Sequence, residues 1–341
     1  MSLHTRFTEG FGLTTPIALA PMALSSGGAL SAACAQAGAL GLLGGGYGEL
    51  DWALAQYQLA LDLLHNEPRA LARLGCGFIT WRLDQDASAF DAMLDQAQRP
   101  AAMMLSFGDP RPYRARLQAA QVPLICQVQS LSQIPWAIEA GAAVLVVQGV
   151  EAGGHGMNVQ QGRGSFALVP EAADWLAAHA PNTWLLAAGG VADGRGLVAA
   201  LALGADGVLM GSRLWASRES LAAEGAKQQA VQTPGEGTAR SAVFDILRQK
   251  NWPAPYDFRA IRNRLHRQWE DRIGELIAQP DAARADYQAG VAAGDFERAH
   301  ATVGEATGLI DDVPDAGRVI ERMHAQAIRA LSGAQPGAHR P

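Results

Sequence analysis

Short apolar runs recur along the first two thirds of the chain and alternate with longer segments of mixed polarity. The runs are continuous rather than alternating and end in glycine, proline or polar residues, which is typical of strands covered on both faces. They are too short for helices, so we predict a strand at each of them. The eight predicted strands are Pro16–Ala20, Leu40–Leu43, Leu74–Ile79, Ala101–Ser106, Pro123–Val128, Ala143–Val147, Trp184–Ala188 and Gly207–Met210.

The segments between these runs are rich in alanine and leucine, which favour helices. Examples are Asp51–His65, Tyr113–Ala120, Leu131–Ala140 and Gly194–Leu203. Eight strands that alternate with helices predict an α/β fold with a parallel sheet, and their number suits a closed (β/α)8 TIM barrel. A doubly wound open sheet, which uses fewer strands, is the alternative fold.

The pattern changes after the eighth predicted strand. Leu214–His300 contains no run that predicts a strand and carries Arg, Gln, Trp and Asp at helical spacing. We therefore expect a helical insert, residues 214–305, packed as a subdomain over one mouth of the barrel. The barrel domain then comprises residues 1–213 and 306–331, with a last amphipathic helix at Asp315–Ala330, and residues 332–341 form a flexible tail.

Composition and charge narrow the class of protein. The chain has 341 residues, of which 49% are hydrophobic and 18% charged, as in ordinary globular proteins. Its net charge of −6 and its lack of a basic run argue against a nucleic-acid partner. The glycine-broken stretch Gly27–Gly46 predicts a buried helix and strand rather than a membrane span.

The spacing of cysteines and of possible metal ligands argues against a disulfide-bonded protein and against a metalloprotein. Cys34, Cys76 and Cys126 are widely spaced in apolar sequence, which predicts reduced thiols in a cytoplasmic protein rather than disulfides. No cluster of His, Asp or Glu has the spacing of metal ligands, so we expect no metal site.

In a (β/α)8 barrel the site lies at the carboxyl ends of the strands. The loops after the seventh and eighth predicted strands carry Gly189, Gly190, Gly211 and Ser212. Glycine-lined turns with free N–H groups, followed by a helix, are the usual barrel device for binding a phosphate. A single glycine pair is more often only a turn, but two such turns separated by one helix favour a phosphate site.

The loop after the sixth predicted strand carries the candidate catalytic residue. His155 follows two glycines there, so its ring should project into the barrel mouth, where it could act as a general base. The other seven histidines are interpreted as structural residues in terminal or helical segments. Glu151 either orients this loop or caps it, and the amide of Gln148 suits a planar heterocycle.

These segments together resemble the nitronate monooxygenase (2-nitropropane dioxygenase-like) family. The resemblance is carried by Pro21–Ala23, by QGVEAGGH at residues 148–155, by AAGGV at residues 187–191 and by GADGVLMGS at residues 204–212. Phe166–Pro170 and Thr307–Ile310 add to it. The similarity covers residues 13 to 325 and weakens in the helical insert.

The resemblance implies non-covalently bound FMN, with its phosphate at Gly190 and Gly211–Ser212 and its ring system beside the first strand. His155 is placed on the substrate side as the catalytic residue. Including the neighbouring strand-end positions, the predicted cofactor-binding residues are Pro21, Met22, Ala23, Gly77, Gln127, Gln148, Gly153, Gly189, Gly190, Leu209, Met210, Gly211 and Ser212.

This sequence departs from the family pattern at two positions. Gly77 stands where many relatives carry an asparagine that contacts FMN, so that contact should be main-chain only or missing. Gly156 follows His155 where relatives often carry an arginine or another polar residue, which affects substrate preference.

The implied reaction is the oxidation of an alkyl nitronate, or of a nitroalkane, by O2 to a carbonyl compound and nitrite. Three alternatives remain open: an FMN-dependent NAD(P)H reductase of quinones or enoyl thioesters on the same barrel, a flavin-free phosphate-binding isomerase or aldolase, and a non-catalytic flavin or metabolite binder. No strand–GxGxxG–helix dinucleotide unit is found, which argues weakly against the reductase. A homodimer is compatible with the sequence.

Overall fold

The computed structural model describes residues 3–333 and contains eleven strands, numbered β1–β11 in chain order. Eight of them form one parallel sheet, and β7, β10 and β11 form a second, smaller sheet. The strands are β1 (Ile17–Leu19), β2 (Gly41–Gly46), β3 (Leu74–Ile79), β4 (Met103–Ser106), β5 (Leu124–Val128), β6 (Ala142–Gln148), β7 (Gly154–Met157), β8 (Trp184–Ala188), β9 (Gly207–Met210), β10 (Thr238–Ser241) and β11 (Tyr256–Ile261).

The large sheet is a barrel. Its strand order is β1-β9-β8-β6-β5-β4-β3-β2, and all of its pairings are parallel. The two end strands meet through a parallel bridge between Ala18 and Leu40, where Leu19 N donates to Leu40 O at 2.8 Å. All eight strands predicted from the apolar runs are thus confirmed, with ends shifted by a few residues, and the closed barrel is favoured over the open sheet.

Seventeen helices lie between and around the strands of the described chain. The long alanine-rich segments predicted as helices become α3, α7, α8 and α10, and the last amphipathic segment becomes α17. The helices are α1 (Arg6–Phe11), α2 (Gly28–Gln36), α3 (Leu50–Leu64), α4 (Pro68–Leu71), α5 (Thr80–Leu83), α6 (Ser88–Leu94), α7 (Arg114–Ala120), α8 (Ile134–Glu139), α9 (Ser165–His179), α10 (Gly194–Ala202), α11 (Ser212–Trp215), α12 (Glu224–Gln232), α13 (Val243–Leu247), α14 (Arg264–Trp269), α15 (Ile273–Ala278), α16 (Asp281–Ala293) and α17 (Ala316–Leu331).

The barrel has two apolar layers, because successive residues of a strand face opposite sides. In β9, Leu209 packs inside the barrel, whereas Val208 and Met210 pack outward against the helices. Both layers are buried, which explains why the strands read as continuous apolar runs. None of the helices described here combines the length and apolar composition that crossing a bilayer requires.

Helix α1 closes the amino-terminal end of the barrel. Phe7 is fully buried in the inner layer, and Arg6 donates to both carboxylate oxygens of Asp206 at 2.9 and 2.8 Å. Asp206 also accepts a hydrogen bond from the Leu185 main chain at 2.9 Å. Because α1 closes the amino-terminal end, the interior of the barrel is accessible only from the carboxyl ends of the strands.

The segment predicted as an all-helical insert contains two strands, so that expectation is wrong in part. β11 pairs antiparallel with β10 and with β7, and β7 belongs to the barrel loop that carries His155. The insert is therefore rich in helices but is joined to the barrel by a three-stranded sheet. Of the predicted tail, residues 334–341 lie outside the described residues.

A buried arginine of the insert fixes the barrel loop on which this sheet is built. The guanidinium of Arg240 donates to the carbonyl oxygens of Ala152 and Asp257, each at 2.6 Å, and to those of Gly154 at 3.1 Å and Val150 at 3.4 Å. Burial lowers the pKa of Arg240 to about 9, so it stays charged near neutral pH. Charge-assisted hydrogen bonds of this kind are strong where water is excluded.

A second arginine of the insert reinforces the same loop. Arg259 donates to Val150 O at 3.2 Å and to Thr238 Oγ1 at 3.1 Å, and it pairs with Glu305 at 3.0 Å. Since Glu305 N donates to Glu151 O at 2.9 Å, the chain returning to the barrel is tied to the loop as well. The loop is thus held by the insert on one side and by the returning chain on the other.

Replacing Phe7 with alanine should destabilise the barrel without altering the rim. Truncating a fully buried phenylalanine typically costs about 3–5 kcal/mol of unfolding free energy. Phe166→Ala, at a side chain in α9 that is 75% exposed, is the control and should change stability by less than about 0.5 kcal/mol. Equal urea midpoints for the two variants would contradict the assignment of Phe7 to the barrel core.

Replacing Arg240 with methionine should also destabilise the protein, by a different route. Methionine fills much of the volume but leaves the carbonyls of Ala152 and Asp257 without donors, which should cost at least about 2 kcal/mol. Arg264→Met breaks an exposed ion pair with Asp286 and should cost less than about 1 kcal/mol. Urea unfolding of both variants tests this, and an Arg240→Met protein as stable as wild type would contradict the anchoring role.

Candidate active site

A cavity of about 810 Å³ lies at the carboxyl ends of the barrel strands, between the barrel loops and the insert. This volume is within the range of small-molecule and cofactor sites. All but one of the residues predicted for the site line the cavity: Pro21, Met22, Ala23, Gly77, Gln127, Gln148, Gly153, His155, Gly189, Gly190, Leu209, Gly211 and Ser212.

Met210 is the exception. Its side chain is buried in the outer layer of the barrel, among the helices, while its neighbour Leu209 reaches the cavity. The carbonyl of Met210 accepts a hydrogen bond from Ala20 N at 2.8 Å. Met210 therefore supports the rim through its main chain, and its side chain is turned away from the site.

The two glycine turns predicted for a phosphate lie on this rim. Gly189 and Gly190 have φ of +95° and +76°, a left-handed conformation that other residues adopt at a cost. At Gly211 a Cβ would make only ordinary van der Waals contacts, 3.6 Å from Met22 Sδ and 3.9 Å from Ala20 Cβ, so no atom is crowded against this turn. Ser212 begins α11, and its hydroxyl accepts a hydrogen bond from Gly304 N at 2.8 Å.

Gly77 is explained by its contact with Pro21. A Cβ at Gly77 would lie 2.4 Å from Pro21 Cγ, so the proline ring occupies the space that a side chain would need. An asparagine would collide there, and only the main chain of Gly77 faces the cavity. Glycine at position 77 therefore allows β3 to pack closely against the loop after β1.

A chain of glutamine amides borders the inner end of the cavity. The Oε1 atom of Gln148 accepts from Gln127 at 3.3 Å and from Gln129 at 3.1 Å, and its amide nitrogen donates to His155 O at 3.1 Å. Gln129 Oε1 is buried without a hydrogen-bond partner among the described residues. This chain fixes the orientation of Gln148, whose amide borders the cavity.

His155 is held by an aspartate and an indole of the insert. Its Nε2 lies 2.9 and 3.0 Å from the two carboxylate oxygens of Asp245, and its ring stacks on Trp252 with the ring planes 12° apart. Because a carboxylate only accepts, Nε2 carries the hydrogen and Nδ1 carries the lone pair. Nδ1 makes no hydrogen bond to a described residue.

Burial decides the charge of His155. Desolvation lowers the pKa of His155 to about 4, against the opposing effect of Asp245, which raises it. The imidazole is therefore neutral near pH 7, and its Nδ1 is a proton acceptor rather than a donor. Geometry and protonation state both suit a general base at the cavity wall.

Glu151 serves as a helix cap. Its Oε1 accepts hydrogen bonds from the main chain and hydroxyl of Ser165, each at 2.8 Å, at the start of α9. This favours capping over the alternative that it orients the loop alone. Its Oε2 is buried without a hydrogen-bond partner among residues 3–333.

Several site residues escape the sequence patterns, and all of them come from the insert. One of them, Asp245, lies in α13, and two, Arg248 and Trp252, follow it. Their helical spacing in the sequence indicates only an amphipathic segment. His300 corrects the interpretation of the other histidines as structural, because it lies in a loop after α16 and lines the cavity beside Tyr287. No group of His, Cys, Asp or Glu within the described chain is arranged to hold a metal ion.

Comparisons with known proteins agree with this geometry. The sequence model of the nitronate monooxygenase family matches residues 83–326. A nitronate monooxygenase of Metarhizium robertsii is 35% identical over 92% of this chain and 91% of its own length. This match and the family model confirm the resemblance indicated by the motifs.

Solved structures show the same barrel. FabK from Thermotoga maritima superposes with a TM-score of 0.79 at 25% identity, covering 97% of this chain and 98% of its own. A nitroalkane oxidase from Streptomyces ansochromogenes superposes with a TM-score of 0.72 at 23% identity, covering 94% of this chain and 98% of its own. This similarity supports the fold. The chain therefore belongs to the nitronate monooxygenase family, whose members are flavin-dependent oxidoreductases.

Proposed function

We propose that the cavity binds FMN and that the protein uses it with O2 to oxidise an alkyl nitronate to a carbonyl compound and nitrite. The observation that carries the proposal is that glycine turns and a neutral histidine line one and the same cavity. Bound there, the flavin supplies the electron-transfer chemistry, and the protein supplies binding, orientation and proton transfer.

The phosphate is assigned to the turns at Gly190 and Gly211–Ser212. The lack of crowding at Gly211 and the left-handed conformation of Gly189 and Gly190 support this, since both allow main-chain N–H groups to approach an anion. The isoalloxazine is assigned to the wall formed by Pro21–Ala23 and Gly77. The amide of Gln148 can hydrogen-bond the ring edge, because its orientation is already fixed by its neighbours.

His155 is assigned to the substrate. A neutral imidazole whose Nε2–H is held by Asp245 presents only the lone pair of Nδ1, so it can take the α-proton of a neutral nitroalkane and produce the nitronate in place. The stacked Trp252 and the carboxylate keep the ring in one orientation. Three buried cysteines without disulfide partners suit a reducing compartment, which supports a cytoplasmic location.

Gly190→Val should yield protein without bound flavin. A β-branched residue is strained at φ +76°, and its side chain would enter the space assigned to the phosphate. Gly141→Val is the matched control, because it imposes similar strain at φ +85° with no atom within 4 Å and lies away from the cavity. Visible absorbance per mole of purified protein is the measurement, and a fully yellow Gly190→Val protein would contradict the phosphate assignment.

His155→Ala should retain FMN but lower turnover of nitroalkanes by about two orders of magnitude or more, the usual contribution of a general base. Asp245→Asn should cause a smaller loss, because the ring keeps its place but loses its fixed tautomer. With a pKa near 4, the wild-type base stays deprotonated, so kcat/KM with neutral nitroethane should be level from about pH 8 to about pH 6.

The measurements are nitrite release and O2 consumption with nitroethane and with ethyl nitronate. Near-normal turnover by His155→Ala would remove this residue from the mechanism. No nitrite from any nitronate, together with rapid anaerobic bleaching of the flavin by NADH, would favour the reductase alternative instead.

A further inference from the structure

One partly buried arginine of the insert lines the cavity without a hydrogen-bond partner among the described residues. Arg248 follows α13 and lines the cavity, and its side chain is 17% exposed. Its guanidinium carbon lies 4.7 Å from the centroid of the Phe258 ring, which also borders His155 at 4.8 Å. Arg248 and His155 therefore pack against the same ring.

The guanidinium of Arg248 has five N–H donors, and none of them donates to a described residue within hydrogen-bond distance. The nearest carboxylate oxygen, Oδ1 of Asp245, lies 4.0 Å from Nη1 and is already bonded to His155. Nη1 is buried without a partner. Buried arginines normally have most of their donors satisfied: in the same insert, Arg240 donates through both Nη atoms and lacks a partner only at Nε, and Arg259 donates to Val150 O and Thr238 Oγ1.

Apart from the carboxylate of Asp245, which is hydrogen-bonded to His155, no carboxylate of the described residues lies within 4 Å of the Arg248 guanidinium. Near it, Tyr287 and His300 form a neutral pair, with the hydroxyl 2.7 Å from Nδ1, and burial lowers the pKa of His300 to about 3. Lys250 is the second permanent cation that lines the cavity. Glu151, the carboxylate that lines it, is engaged with Ser165.

We propose that Arg248 is a specificity-determining residue that binds a planar oxyanion of the substrate. A guanidinium fork matches two oxygens on one planar centre, as in a nitronate or a carboxylate. This rests on the proposed function and extends it: His155 presents only a lone pair and cannot donate to an anion, so recognition of the negative charge falls to Arg248.

The test compares Arg248→Met and Arg248→Lys with wild type, all loaded with flavin. Nitrate serves as a planar oxyanion that is not oxidised, and its binding is followed by calorimetry and by perturbation of the flavin absorbance. We expect Arg248→Met to weaken nitrate binding at least ten-fold and Arg248→Lys to be intermediate, because lysine keeps the charge but not the fork. Arg284→Met is the matched control: it removes a cation of the insert outside this cavity.

Steady-state kinetics identify which oxyanion is held. If it is the nitronate, KM should rise at least ten-fold in Arg248→Met for ethyl nitronate, with kcat little changed, whereas KM for neutral nitroethane, which carries no charge when it binds, should change less. If it is a carboxylate elsewhere in the substrate, only a carboxylate-bearing nitronate should lose affinity. Unchanged KM for both anionic substrates, or equal nitrate binding by wild type and Arg248→Met, would overturn the inference.

The proposed function is tested separately by the wild-type protein. Nitrate binding that depends on Arg248 in a wild type that releases no nitrite from nitronates would support the anion site and contradict the reaction. Normal nitronate oxidation with no dependence on Arg248 would support the reaction and contradict the anion site.

Discussion

The arrangement of the site depends on the guanidinium of Arg240 and the carbonyl oxygens that it binds. Four carbonyls converge on one buried cation: two lie in the loop between β6 and β7, one belongs to Gly154 at the start of β7, and one belongs to Asp257 of β11. Carbonyl groups in a glycine-rich loop have no preferred arrangement by themselves, so a fixed donor is needed to give the loop one shape. That shape determines where Gly153 lines the cavity and where β7 begins.

The orientation of His155 follows from the same contacts. β7 pairs with β11 in a register that places His155 opposite Phe258, and α13 of the insert brings Asp245 to the imidazole. Close packing leaves no room for a larger residue at Gly156, where a Cβ would lie 3.0 Å from the Arg240 guanidinium.

The barrel was predictable from sequence and the substrate side largely was not. Strands buried on both faces leave a signal in the sequence itself, a continuous apolar run, and glycine turns leave another. Neither signal is present in β10 or β11. Each of these strands contains a buried arginine, Arg240 in β10 and Arg259 in β11, whose burial is stabilised by carbonyl groups distant in the sequence. The prediction of Met210 as a cavity residue overlooked the alternation of side chains along a strand: because Leu209 faces the barrel interior, the side chain of Met210 faces the outer helices.

The sequence also carried no sign that three further side chains belong to the site: Asp245, Arg248 and His300. Their sequence neighbours predict an amphipathic helix and a loop, and their chemistry arises only when the fold brings them near His155, which for Asp245 spans 90 residues of sequence. Apart from Tyr47, Glu151 and His155, the barrel contributes mostly main chain and uncharged residues to the cavity, whereas the insert contributes Arg248, Lys250, Tyr287 and His300. Main-chain N–H groups suit a cofactor common to a family, while side chains can change without disturbing the barrel. Differences in substrate among related barrels are therefore expected to reside in the insert, where the resemblance to the family is weakest.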